Sequence, residues 1–230
     1  IVLKSGWENA KKIISNINPN FKKNPKMNDE NAWNAEIDNK SAIEVLKDVK
    51  ENLIDEFACK VHLGVDVAAS EFFKDKNYVY NMENQKLSIN GQIKYMQKLS
   101  NDFYYIEDPL EQNDFSGFSE ILKKSKSLIV GDDLTVTNPE RLLIAIKKKS
   151  INGIIIKPNQ VGSLLKVQEI VNICKKNNIK MIFSHRSGET SENIISDIAF
   201  GFQADFVKFG ALGPGRKEKL ERLEEIEESL

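Results

Sequence analysis

The sequence predicts an α/β protein built as an incomplete TIM-type barrel, with about six of the eight barrel strands present. Three observations carry this. A plan of apolar run, polar terminal residue, loop and amphipathic stretch repeats from the middle of the chain onward, which is the βα unit. After Glu107 the polar strand ends recur every 23 to 28 residues, the length that a strand, a helix and two short loops require. Finally, six successive runs end in a charged or titratable residue. A closed barrel aims the ends of most strands into one mouth, whereas an open sheet gathers ligands at one switch point.

In chain order, Trp7, Ala10, Ile13, Ile14 and Ile17 mark a helix that stops before Pro19, and Ser41 with Glu44 stands in capping-box spacing. The first barrel run is Val61 to Val65, ending at Asp66. The longer interval that follows holds the strand-like Tyr78-Val79-Tyr80 and the turn-prone Asn81 to Asn84, an inserted hairpin, before a helix near Gln92 to Leu99. The next runs are Phe103 to Ile106 before Glu107, Leu128 to Gly131 before Asp132, Ile154 to Ile156 before Lys157, Met181 to Ser184 before His185, and Phe206 to Val207 before Lys208. Between them, Pro139 after Asn138 opens a helix. Leu164, Val167, Ile170, Val171 and Cys174 fall on one helical face.

With 230 residues, two-fifths of them hydrophobic, the chain can bury the core of one barrel-type domain, residues 1–230. The formal charge is −1, and no block of one sign argues for nucleic acid or an anionic membrane surface. Neither a membrane-length apolar run nor a secretory pattern is present, so a cytoplasmic protein is the default. Cys59 and Cys174 read as reduced core residues rather than a bridge. Ile1 stands where a start methionine would, and six strands are too few for an eight-stranded barrel. The expectation is that upstream material is missing.

Asp66, Glu107 and Asp132 project from three successive strand ends. Three converging carboxylates repel one another and raise one another's pKa unless a cation intervenes. An all-oxygen set with open positions suits Mg²⁺. Each acid taken alone is equally a strand-end residue capping the helix that follows. Lys157 closes the run Ile154-Ile155-Ile156, where desolvation favours a neutral amine able to act as general base; the alternative is a structural lysine paired with one of the acids. His185, Arg186 and Ser187 place a guanidinium beside a hydroxyl, a grip for phosphate, and Lys208 adds a cation for a second anionic group. A small anion carrying phosphate and carboxylate, from which a proton is removed beside the carboxylate, fits this set.

These segments resemble the enolase family. Val65-Asp66-Val67-Ala68-Ala69-Ser70-Glu71-Phe72 and Ile106-Glu107-Asp108-Pro109 are similar to its third and fourth strand segments. Gly131-Asp132-Asp133-Leu134-Thr135-Val136-Thr137-Asn138, Lys157-Pro158-Asn159-Gln160-Val161-Gly162-Ser163 and Ser184-His185-Arg186-Ser187-Gly188-Glu189-Thr190 are similar to the next three. The resemblance covers nearly the whole chain and implies an enolase-type TIM barrel acting as a phosphopyruvate hydratase, a lyase of glycolysis and gluconeogenesis. Carried over by position, Asp66, Glu107 and Asp132 hold magnesium and Lys157 takes the C2 proton of 2-phosphoglycerate. Arg186 and Ser187 contact its phosphate, His185 lines the pocket, and Lys208 meets the carboxylate. Glu30, in Asn28-Asp29-Glu30-Asn31, is the candidate acid for the departing C3 hydroxyl, although the family's loop has glycines where asparagines stand here. Phe209 after Lys208 is bulkier than the small hydroxyl residue common there.

The resemblance also implies a homodimer in the complete protein, and an N-terminal domain and first two barrel strands absent from this chain. Two other readings stay open. One is a non-catalytic remnant or a subunit that needs a separate partner. The other is a different lyase or racemase of the enolase superfamily, where fold alone does not fix the substrate.

Overall fold

The computed structural model describes residues 26–28, 32–34, 37–54, 60–211 and 213–230. The expected front helix around Trp7 to Ile17, Cys59 and Glu30 lie outside them. The chain divides into two compact units. One comprises His62–Phe183 with Ala204–Phe206; the other comprises Ile1–Val61, Ser184–Gln203 and Val207–Leu230.

The His62–Phe183 unit is organised by a parallel sheet. Strands β3 (Gly64–Asp66), β7 (Tyr105–Glu107), β8 (Leu128–Gly131), β9 (Gly153–Ile156) and β10 (Lys180–Ser184) pair in that order, with β11 (Phe206–Lys208) beside β10. Each parallel neighbour follows its predecessor in the chain through a helical crossover, the connection that parallel strands require. The register sets Asp66 opposite Glu107, Glu107 opposite Val130, and Gly131 opposite Ile154. β8 and β9 are buried along their whole length, as a sheet covered on both faces demands, and their runs are continuously apolar for that reason.

Leu128, Val130, Ile155 and Ile182 form a buried cluster, with Tyr105 packed against it. A Cβ added at Gly153 would lie 3.0 Å from Val130 Cγ2 and 3.2 Å from Leu128 Cγ, so glycine there is what allows this close layer. The strand expected over residues 61–65 is regular only from Gly64 to Asp66. Its pairing nevertheless runs further back, because the Tyr104 N–H still donates to the Leu63 carbonyl at 2.9 Å.

The helices follow the punctuation in the sequence, with instructive differences. Asn138 caps α4 (Pro139–Lys148), its side-chain oxygen accepting the N–H groups of Glu140 at 2.8 Å and Arg141 at 3.1 Å. Asp114 caps α3 (Phe115–Lys124) in the same way, through the Gly117 N–H at 2.8 Å. α2 (Ile89–Leu99) starts three residues before the expected Gln92, because Ser88 supplies the cap by accepting the Gly91 N–H. The short α5 (Pro158–Val161) precedes α6 (Leu164–Asn177). Val167, Ile170, Val171 and Cys174 of α6 are buried as expected, but Leu164, at its first position, is 55% exposed. Burial pushes the Cys174 thiol up to about 12, an inert core thiol.

The insertion after β3 is a three-stranded antiparallel sheet rather than a simple hairpin. It consists of β4 (Phe73–Lys74), β5 (Asn77–Tyr80) and β6 (Gln85–Ser88). It is tied to the residues after β7 by two tyrosines. Tyr78 Oη accepts the Glu111 N–H at 2.9 Å, and Tyr80 donates to Gln92, whose amide donates to the Pro109 carbonyl at 3.1 Å.

In the other unit, β1 (Lys26–Met27) pairs antiparallel with β2 (Trp33–Asn34). α1 (Asn39–Ile54) begins two residues before Ser41, since Asp38 is the residue that caps it, its carboxylate accepting the Ser41 N–H at 2.7 Å. α7 (Ile194–Gly201) packs on α8 (Lys217–Glu228), joined by the Asp197–Arg222 ion pair at 2.8 Å and by Ser196 Oγ donating to the Lys219 carbonyl at 2.6 Å.

Candidate active site

At the carboxyl ends of β7 and β8, Glu107, Asp108 and Asp132 each offer an oxygen within 4.8 Å of the others. Glu107 is fully buried and accepts a hydrogen bond from the Tyr105 hydroxyl. Burial first, and the Glu107 charge second, hold that hydroxyl far above the usual phenol range, so it serves Glu107 as a donor. Asp132 is ion-paired with the Lys157 ammonium from the end of β9, with side chains 13% and 18% exposed respectively. Glu107 and Asp132 thus present carboxylate oxygens beside Lys157 in a poorly hydrated position, the type of donor that a hard divalent cation takes.

Asp66 stands one strand away, aligned with Glu107 in the register; the Val67 N–H donates to the Glu107 carbonyl at 3.0 Å. Its own carboxylate accepts the Ala68 N–H at 3.1 Å, closing an Asx turn at an exposed strand end. The three acids expected to converge were Asp66, Glu107 and Asp132. The group with oxygens mutually in reach instead contains Asp108 beside Glu107 and Asp132.

Asp108 has a different occupation. It is 2% exposed and left-handed at φ 40, and it accepts the backbone N–H groups of Asp132 at 3.1 Å, Asp133 at 2.7 Å and Leu134 at 3.5 Å. Burial pushes its carboxyl well above the ordinary range, while the bond from Asp133 pulls the other way. Asp133 is likewise raised, by burial and then by the Asp132 charge. Asp108 thus fixes the loop from which Asp132 projects. Sequence reasoning placed it only within a motif, and the available signal was an acid immediately before Pro109, at a strand-to-loop junction.

In the other unit, the His185 N–H donates to the Lys208 carbonyl at 3.2 Å, which sets these two residues side by side, with Arg186 and Ser187 following His185 in the chain. Arg186 and Ser187 are exposed, on a loop held by residues that sequence reasoning did not single out. Arg216, 2% exposed, donates to the Ser187 carbonyl at 2.9 Å. Glu189 accepts the Arg186 N–H at 3.3 Å and lies 4.0 Å from the buried Lys219, which donates to the carbonyls of Thr190 at 2.8 Å and Gly215 at 2.7 Å. Gly215, at φ +76, lets this backbone approach: a Cβ would fall 2.9 Å from the Glu189 carbonyl oxygen. Burial, followed by the positive charge of Arg216, lowers the His185 imidazole to about 4, and its Nδ1 is buried without a hydrogen-bond partner.

Among the described residues no helix is long and apolar enough to cross a membrane. Residues 2–230 match the family model described as the enolase C-terminal TIM barrel domain. The chain is 45% identical over 208 residues to an enolase of Picrophilus torridus, covering 89% of this chain and 52% of the relative. It is 42% identical to an enolase of Archaeoglobus fulgidus, over 88% of this chain and 51% of that one. An enolase of Thermoplasma acidophilum is 39% identical with the same coverage. The chain spans about half the length of the curated relatives it matches.

Proposed function

Since the chain belongs to the enolase C-terminal TIM barrel family, we propose that it is the catalytic-barrel portion of a phosphopyruvate hydratase, which interconverts 2-phosphoglycerate with phosphoenolpyruvate and water. One observation carries the reading above all. A lysine at the end of one parallel strand pairs with a carboxylate at the end of the adjacent strand, itself part of a cluster that reaches the strand beyond, the arrangement that proton removal beside a carboxylate needs.

In this reading Asp66, Glu107 and Asp132 hold Mg²⁺, which when bound supplies positive charge against the negative charge that builds on the substrate carboxylate. Asp108 is unsuited to that task, because its oxygens are engaged by backbone N–H groups. Asp66 is preferred because the register aligns it with Glu107. Lys157 takes the C2 proton. The C–H electron pair becomes the C2–C3 double bond, and the C3 hydroxyl leaves as water after receiving a proton from Glu30. Arg186 and Ser187 bind phosphate, Lys208 binds carboxylate and His185 contacts the substrate; these roles rest on the family motif. The neutral imidazole that burial enforces on His185 is compatible with that role.

The whole protein, in this proposal, has an N-terminal domain and the first barrel strands in addition to this chain, reaching the length of its relatives, acts as a homodimer and works in the cytoplasm. The test is the absorbance of phosphoenolpyruvate formed from 2-phosphoglycerate by the protein extended to that full length. Turnover that requires Mg²⁺ and stops on chelation is expected; a full-length, folded protein with no turnover would overturn the assignment.

A further inference from the structure

The loop between β8 and α4, residues 132–138, carries consecutive left-handed residues at Val136, φ 44, and Thr137, φ 49. Both are β-branched, the residue class for which positive φ is least favourable, and such strain persists only where its surroundings over-determine it. They do so here. The Asp132 carbonyl accepts the N–H groups of Thr135 at 3.1 Å and Val136 at 2.7 Å, the Thr135 hydroxyl donates to the Gly131 carbonyl at 3.0 Å, and Asn138 begins the capped helix. At the far end of this turn, Thr137 is 1% exposed. Its hydroxyl accepts the backbone N–H of Lys157 at 3.0 Å and is 3.1 Å from Gln160 Oε1, to which it donates.

A hydroxyl has one proton and two lone pairs. With its proton committed to Gln160, a lone pair is presented to Lys157, and the direction of both bonds is fixed. We propose that Thr137 is a positioning residue for Lys157: its hydroxyl pins the backbone where the lysine leaves β9, so that the amine is delivered to the Asp132 carboxylate in one geometry. The proposal rests on the reading of Lys157 as the base that removes the C2 proton. The same loop supplies Asp132 at its start and Thr137 at its end, so one strained turn sets both partners of the ion pair.

A residue that holds only the fold would alter stability and leave the rate of the folded fraction unchanged. A residue that orients the base alters proton removal at saturating substrate. The experiment compares Thr137→Val, Thr137→Ala and Thr137→Ser in the full-length protein by the exchange of the C2 proton of 2-phosphoglycerate with solvent deuterium. The valine and alanine variants are expected to exchange roughly 10- to 100-fold more slowly, the scale of a displacement of about 1 Å in a reacting group. Their KM and Mg²⁺ affinity should stay close to wild type, with the serine variant within about threefold of wild-type exchange because the hydroxyl is retained. Wild-type exchange in Thr137→Val or Thr137→Ala overturns the proposal. So does a serine variant as slow as valine, or a loss of folding in both hydroxyl-free variants, which would assign the group to stability alone. Lys157→Ala, run alongside, separates the two claims: exchange that survives in that variant removes the base assignment itself.

Discussion

The carboxylate of Asp108 accepts the backbone N–H of Asp133 at 2.7 Å, across from one strand end to the next. Together with its bonds to Asp132 and Leu134, this makes a buried acid the anchor of the loop that presents a candidate metal ligand. Replacing Asp108 by alanine leaves those N–H groups buried without their acceptor. It is expected to cost about 2–3 kcal/mol of stability and to weaken Mg²⁺ binding roughly 10- to 100-fold. Urea unfolding and calorimetric Mg²⁺ titration of the full-length protein measure the two effects. An unchanged Mg²⁺ affinity in a folded Asp108→Ala protein would contradict the anchoring role.

His185 gives the pH dependence of stability a definite sign. Burial, then Arg216, lowers its imidazole from 6.5 to about 4, with Lys208 and Lys219 adding to the effect and Glu189 opposing it. The unfolded chain therefore binds a proton at this residue over a range in which the folded chain does not. Its contribution to stability is fully present above about pH 6.5 and is lost as the pH falls from there towards about 4. The difference in unfolding free energy between wild type and His185→Gln should thus slope between these limits and be flat above them. A difference that is level throughout would show that the imidazole titrates alike in both states.

The parallel sheet was legible because its signal is local. Ile154-Ile155-Ile156 and the run from Leu128 to Gly131 are continuously apolar, since both faces of β8 and β9 are buried, and the polar residue that follows each marks where the strand emerges. Caps written in adjacent residues, as at Asn138-Pro139, were equally readable. At α1 the pattern misled. Ser41 and Glu44 have capping-box spacing, yet Asp38 lies three residues ahead of Ser41 and takes its N–H, so the helix begins earlier.

What the sequence does not display is long-range hydrogen bonding. The strand ends located Glu107, Asp132 and Lys157, and the structure brings these together. Asp108 and Thr137 act through bonds to residues 20 or more positions away, and neither residue type in its local setting announces that partner. The same holds for Arg216 and Lys219. By composition they are ordinary cations near a helix start, but in the fold they are buried against the carbonyls of Ser187, Thr190 and Gly215.

The ion pair between Lys157 and Asp132 is the centre of the functional account, and Lys157→Ala in the full-length protein examines it most directly. Exchange of the C2 proton of 2-phosphoglycerate with solvent deuterium should fall by a factor on the order of 10³ or more, while Mg²⁺ still binds with near wild-type affinity. Exchange that continues at the wild-type rate in this variant would contradict the claim that the Lys157 amine removes the proton.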